Sequence, residues 1–324
     1  MFQSQPDETV LEDIAVAASL AMALEASSYP KPGNVHRLKD FKNTNYEHFL
    51  ASAIATEFVF WKAAAGKSKI GELLFEAVAK SERRQAGGNT HFGTFLLILP
   101  LAAAAGSLTQ PNDCGKTQPD ANLICRTAAQ ICRQTDEEDA YFFYLAFEKL
   151  NVPAKKDIDD GADFDLSDPN AKERIKTQKV GLFGLMESAI ERDMIAKEWV
   201  TGFELTRRFS DRLLENNAYF VKNPDKQFKN ALNSAIVLTF LEFMADYSDT
   251  FIETKLDEKT AADVRKMAKD ILDSKKGTEP DLNRLIPKMN ELDNELHARK
   301  ANPGSLADIA AAGIFLALLG GLTF

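Results

Sequence analysis

Long stretches of this chain repeat their apolar residues at the spacing of an α-helix, and almost none alternates apolar with polar residues as a half-buried strand must. The helical pattern runs over 10–26, 47–65, 91–105, 138–150, 182–215 and 230–246. A strand over 94–99 is the competing reading. That run passes without a break into 102–105, so a buried helix kinked at Pro100 is expected instead. The expected fold class is all-α, a multi-helix globular bundle. With 324 residues and 45% hydrophobic content, the chain has enough apolar surface to build a large core.

Two segments break the periodicity. The stretch 110–120 carries two prolines and a glycine, and 151–179 is rich in acidic residues. Both read as loops, the second as a candidate division between two helical lobes around one cleft within a single domain spanning 1–324. Residues 309–324 are nearly all apolar, but Gly320 and Gly321 cut the run short of the ~20 residues a membrane span needs, so a buried core helix is expected. The formal charge of -9 argues against nucleic acid as a main partner, because that binding relies on Lys and Arg neutralising phosphates. Cys114, Cys125 and Cys132 form neither a disulfide framework nor a zinc spacing, which fits a reducing compartment. The first residues lack the basic start and apolar stretch of a secretory signal, so the expected location is cytoplasmic and away from membranes.

Three turn-like motifs stand out. The first, YPKPGNVHR at 29–37, follows a helix; its prolines stiffen the backbone and Gly33 permits a turn or a close approach to a ligand. Lys31, His36 and Arg37 there suit a polyphosphate, although an ordinary turn with solvated charges has the same composition. In the second, GGNTHFG at 87–93, glycines and an Asn-Thr pair precede an apolar helix whose exposed amides favour phosphate; His91 adds a donor or general acid. Capping by Asn89 or Thr90 explains that spacing equally well. The third, NPGSLAD at 302–308, spaces Ser305 and Asp308 like a capping box with Asp in place of Glu.

Carboxylates on apolar faces add a second kind of signal. On a helical wheel Asp193 falls in the middle of the stripe made by Leu182, Leu185, Met186 and Ala196, and Glu25 lies on the side of Ile14, Ala18 and Ala21. A buried carboxylate needs a cation, a metal or hydrogen-bond donors, and a structural ion pair meets that need as well as catalysis does. Gly66-Lys67-Ser68 has only the ending of a phosphate-binding loop, since Trp61 stands where its first glycine belongs. The acidic run 157–165 lacks the glycine register and closing Glu of a calcium loop. His48 and His297 read as structural.

Taken in order, PKPGNVHR, GGNTHFG, VGLFGLMESAIERDMIAKEW and NPGSLADIAAAGIFLALL make the chain resemble the triphosphoribosyl-dephospho-CoA synthase family from about residue 17 to 319. The likeness looks closest to a divergent branch found with tetrahydromethanopterin-linked one-carbon metabolism. It implies an all-helical transferase that joins the ribose of ATP to a hydroxyl acceptor such as dephospho-CoA, releases adenine and works in coenzyme or prosthetic-group biosynthesis. It further implies Glu25, His91 and Asp249 as catalytic groups. Lys31, Gly33, Asn34, His36, Arg37, Gly88, Asn89, Thr90, Arg192 and Ser305 would then bind the nucleotide, and Asp193 and Asp308 would hold Mg2+. The segment after PKPG departs from the authentic synthases, with DFKNTNY at 40–46. Two alternatives therefore stand beside the transferase: a non-catalytic nucleotide-binding helical protein and a nucleotide hydrolase. Self-association as a homo-oligomer is left open.

Overall fold

A computed structural model describes residues 8–109, 120–150, 171–224, 230–274 and 281–324. These residues form fifteen α-helices and no strand. The first group is α1 (Glu8–Ser27), α2 (Tyr46–Ala64), α3 (Ile70–Glu82), α4 (Phe92–Ser107), α5 (Ala121–Arg133) and α6 (Glu137–Lys149). The second is α7 (Ala171–Gln178), α8 (Leu182–Ala189), α9 (Met194–Thr201), α10 (Glu204–Lys222) and α11 (Ala231–Asp246). The chain closes with α12 (Thr250–Lys255), α13 (Glu258–Asp273), α14 (Leu282–Arg299) and α15 (Gly304–Leu319). The loop expected at 110–120 lies outside the described residues except for Asp120, which caps α5. The acidic run 157–165 also lies outside them, as does most of the expected lobe division; its end, 171–178, is helical as α7.

Two helices, α4 and α15, are apolar almost all round, and a helix with no polar face must be enclosed. Ile309 through Ala317 are buried in α15, as are Thr94 through Ala102 in α4. They pack against each other, with α1, α10 and α11 against α15 and α2, α3 and α5 against α4. The apolar end of the chain is thus a core helix, and no helix among the described residues is long and apolar enough to cross a membrane. Pro100 is accommodated inside α4.

The expected helix over 182–215 is three helices. Asp193 ends the first break: its Oδ1 accepts the amides of Ile195 and Ala196 at 2.7 and 3.0 Å and caps α9. Gly202, with φ +78°, closes α9, and the buried Glu198 then accepts the amides of Leu205 and Thr206 to start α10. The apolar stripe seen on the wheel kept its phase across these breaks by coincidence, so Asp193 is a cap and not a mid-helix core carboxylate. The capping box expected at Ser305 and Asp308 also fails to form. Pro303 occupies the cap position of α15 without a side-chain bond, and both polar side chains turn elsewhere.

The 29–37 turn is held from a distance. Asn233 at the start of α11 grips Tyr29 at both backbone atoms, accepting its amide at 3.0 Å and donating to its carbonyl at 2.7 Å. Asp293 on α14 accepts the Gly33 amide at 2.9 Å and the Lys39 ammonium at 2.9 Å, and meets His36 Nε2 at 3.4 Å. His297 Nδ1 lies 3.1 Å from the same carboxylate. Burial alone would raise the pKa of Asp293, but these donors hold it well below the usual carboxylate range. Gly33 has φ +80°, and a Cβ there would stand 2.6 Å from the Ala301 carbonyl, so only glycine fits this close pass. Because removing one member of a buried charged cluster leaves the others unpaired, Asp293→Ala is expected to cost on the order of 3 kcal/mol. Urea unfolding monitored by circular dichroism measures it; an unchanged midpoint would show that the cluster does not anchor the turn.

Candidate active site

The three motifs meet in one cleft. It has a volume of about 510 Å3 and is walled by the ends of α1, α4, α9, α12 and α15. Glu25, Lys31, Asn34, Asn89, Thr90, His91, Arg192, Asp193, Ser305 and Asp308 all line it. Four further candidates sit outside the wall. His36 and Gly33 belong to the Asp293 anchor, Arg37 is exposed and reaches Asn233 at 3.2 Å, and Gly88 takes φ +74° in open space within the loop.

At the base of the cleft the Lys31 ammonium bonds the Glu25 carboxylate and also donates to the Glu25 carbonyl at 2.9 Å. Both side chains are almost fully enclosed. Burial pushes Glu25 up and Lys31 down, and their mutual attraction opposes each shift. The pair is therefore a charge reservoir: a ligand of either sign that reaches one partner frees the other.

Beside it the N-terminal ends of α4 and α15 touch. Thr94 donates to Asp308 Oδ1 at 2.5 Å, and Asp308 Oδ2 occupies the space a Cβ on Gly93 would need, only 2.1 Å away. The glycine of GGNTHFG thus admits the carboxylate of NPGSLAD. Burial pushes the Asp308 pKa to about 8, against the Thr94 hydrogen bond, and the nearby Glu25 and Asp249 charges raise it further. Asp308 is thereby biased toward its protonated form near neutral pH.

Asp249 is the fifth candidate outside the cleft wall. It caps α12 by accepting Phe251 and Ile252 amides on Oδ1 at 2.9 and 3.0 Å, and it accepts the Leu306 amide of α15 on Oδ2 at 2.8 Å. Burial raises its pKa to about 7 against those amides. With both oxygens engaged by backbone, Asp249 ties the start of α12 to the start of α15. Ser305 completes that seam through a 3.1 Å contact with Thr250. Asp193 stands at the rim, open to the cleft but crowded from behind; burial raises its pKa while the Ala196 and Ile195 amides oppose it.

Three buried polar atoms on this wall have no hydrogen-bond partner: Asn34 Oδ1, Thr90 Oγ1 and His91 Nε2. An unsatisfied polar atom costs about 1–3 kcal/mol, so three around one cavity call for a polar ligand. Burial, with the Lys31 charge second, lowers the His91 pKa to about 3. His91 is therefore held as a neutral imidazole, able to donate from one ring nitrogen and accept on the other.

The cleft also has an apolar lining that motif reasoning missed, with Phe92, Phe143, Phe147, Leu185 and Met186. Phe92 packs on Phe143 and Phe147 with ring centroids 5.7 and 6.0 Å apart. The aromatic run of α6, YFFYLAF at 141–147, is the signal that would have found it. Lys255, whose ammonium lies 5.5 Å from the Phe251 ring centre, adds a cation at the mouth. No group of three or more His, Cys, Asp or Glu side chains forms a metal cage among the described residues.

Fold and site together define an all-helical protein with a mixed cleft, lined by charged and aromatic side chains and built where helix N-termini converge. Comparison with known proteins narrows that class. The family model of the CitG type, ATP:dephospho-CoA triphosphoribosyl transferase, matches residues 11–323, and the chain belongs to this family. It is 32% identical over 146 residues to a Citrobacter koseri protein named as a 2-(5''-triphosphoribosyl)-3'-dephosphocoenzyme-A synthase. That match covers 41% of this chain and 47% of the relative, so the chain spans about half the length of the curated relative it matches. A crystal structure from Archaeoglobus fulgidus, assigned as a triphosphoribosyl-dephospho-CoA synthase, matches with TM-score 0.62 and 26% identity over 84% of this chain and 99% of that one.

The raised pKa of Asp308 has a consequence for stability. Between the ordinary aspartate value of 3.8 and about 8 the folded chain holds a proton that the unfolded chain has released, so this group's contribution to stability falls as pH rises through that window. Asp308→Asn removes the fall. The variant is expected to gain melting temperature over the wild type progressively from about pH 5 to 8, by at most about 1.4 kcal/mol per pH unit. A thermal-melt series that shows a pH-independent difference would contradict it.

Proposed function

We propose that the cleft binds ATP and transfers its triphosphoribosyl group to a hydroxyl acceptor, dephospho-CoA in the family's description, with release of adenine. The observation that carries this reading is the trio of unpartnered polar atoms at Asn34, Thr90 and His91 beside the buried Lys31 ammonium. Family membership over 11–323 supports it and supports one helical domain over the whole chain. The aromatic wall suits a purine, since planar rings stack well on aromatic faces.

In the transfer the bond from ribose C1 to the adenine nitrogen breaks and a bond from C1 to the acceptor oxygen forms. Charge builds on the ribose as an oxocarbenium-like state, which anionic side chains near it stabilise. The acceptor hydroxyl loses its proton and departing adenine gains one. Lys31, with Arg192 and Lys255 nearer the mouth, faces the triphosphate. When Lys31 turns to a phosphate, Glu25 is released as the base for the hydroxyl. Protonated Asp308 stands in the same cavity as the proton source for departing adenine. Asp249 acts by holding α12 and α15 in register.

A magnesium ion fits this donor set. Mg2+ on a polyphosphate needs only one or two carboxylates and keeps several waters, so a protein cage is not required. Asp193, whose Oδ2 takes no part in the α9 cap, would hold it, Asp308 joining once its proton has passed to adenine, and it would neutralise charge on the phosphates. Buried free thiols at Cys125 and Cys132 fit a reducing cytoplasmic setting.

Titration calorimetry with ATP and Mg2+ is expected to show one site, and Lys31→Ala to weaken it about ten- to a hundredfold, the worth of a charge-assisted hydrogen bond. Chromatography is expected to detect adenine only when dephospho-CoA is also present. Adenine release without acceptor would make the chain a hydrolase, and binding without release a nucleotide-binding protein. Absence of heat, or full affinity in Lys31→Ala, would overturn the site itself.

A further inference from the structure

His91 does not stand alone. Its Nδ1 lies 2.9 Å from Ser52 Oγ on α2, and Ser52 Oγ is 2.8 Å from Ser81 Oγ on α3. Ser81 in turn lies 3.4 Å from Gln85 Nε2. Ser52, Ser81 and His91 are all buried, at 0, 3 and 3% exposure. The direction of the chain is fixed at its far end. Gln85 Oε1 accepts the Gly87 amide at 2.5 Å and Nε2 donates to the Gly88 carbonyl at 2.8 Å, so the amide has only one orientation. Gln85 then donates to Ser81, Ser81 donates to Ser52, and the Ser52 hydroxyl proton is left to point at His91 Nδ1. Reversing the last bond would make Ser52 accept twice and strand its own proton, with no acceptor among the hydrogen bonds of the described residues.

We propose that Gln85, Ser81 and Ser52 form a positioning relay that locks His91 as the tautomer protonated on Nε2, so that a neutral imidazole donates a hydrogen bond to an oxygen or nitrogen lone pair of the ligand in the cleft. The relay begins on the glycines of the same loop that carries His91, so the backbone of GGNTHFG sets the chemistry of its own histidine. Nε2 is buried, has no protein partner and lines the cleft. The depressed pKa agrees, because a neutral ring offers a fixed N–H dipole across the physiological range. His91 held in this way serves as a hydrogen-bond donor and cannot take the acceptor's hydroxyl proton. That role rests on the transfer reading; the tautomer does not.

The test is long-range nitrogen–proton correlation on the full chain labelled with 15N-histidine, with His91→Gln assigning the signal. The expected pattern is an unprotonated Nδ1 and a protonated Nε2, unchanged between about pH 5 and 8. In Ser52→Ala the two nitrogens are expected to move toward averaged values, and Ser81→Ala provides a milder second variant should the first misfold. A wild-type ring protonated on Nδ1, or a Ser52→Ala spectrum identical to wild type, overturns the relay. Adenine release by Ser52→Ala is expected to drop about ten- to a hundredfold in kcat, the range typical when a group that orients an active side chain is lost, while KM for ATP moves less. A locked tautomer with no adenine release by the wild type would leave the relay intact and defeat the transfer reading alone.

Discussion

An apolar bundle cannot leave charges unpaired inside it, and this one buries Glu25, Lys31, Asp249 and His91, with Asp308 half-buried beside them, around the meeting ends of its two most apolar helices. That meeting is the constraint on which the site depends. The absence of a Cβ at Gly93 lets the Asp308 carboxylate sit against α4 and accept from Thr94, so the first turn of α4 and the closing helix share one hydrogen bond across 214 residues of sequence. Asp249 makes a second seam, joining α12 to α15 through three backbone amides. With α4, α12 and α15 pinned at their first turns, the remaining cavity has fixed walls and a fixed set of polar atoms facing inward.

The charge arrangement follows from burial. Burial pushes each acid at the base toward its neutral form and the lysine toward its own, against the mutual attraction of Glu25 and Lys31. An incoming polyphosphate would change that balance by drawing the Lys31 ammonium away from Glu25. Such a site would respond to charge as well as bind it, which is what the proposed transfer, with its oxocarbenium-like state and polyanionic substrate, asks of its surroundings.

Much of the frame was legible because helical period is a local property. The helices over 8–27, 46–64 and 231–246 stand where apolar residues recur at that spacing, and the caps Asn45 and Asn230 lie just before the last two. The interval from 182 to 215 misled because its apolar residues stay in phase across two breaks; the breaks were marked only by Asp193 before an apolar run and by Gly202. The very short α12 is too brief for periodicity to register, so Asp249 was noticed through family likeness and its capping role was not. Within the turns, composition identified Lys31 and His91 correctly as cleft residues but could not separate them from His36, whose partner Asp293 is 257 residues away. The aromatic wall was missed for a related reason: a run of Tyr and Phe on α6 reads as core until another helix is seen to leave space in front of it.

The central claim is that the unpartnered atoms of the three turns face one nucleotide. A crystal structure of the full chain soaked with ATP and Mg2+ in the absence of acceptor tests it most directly. The account predicts density in the cleft with the phosphates on Lys31 and polar atoms within hydrogen-bond reach of Asn34 Oδ1, Thr90 Oγ1 and His91 Nε2. Nucleotide seated on another surface, or bound in the cleft with those three atoms still unpartnered, would contradict it.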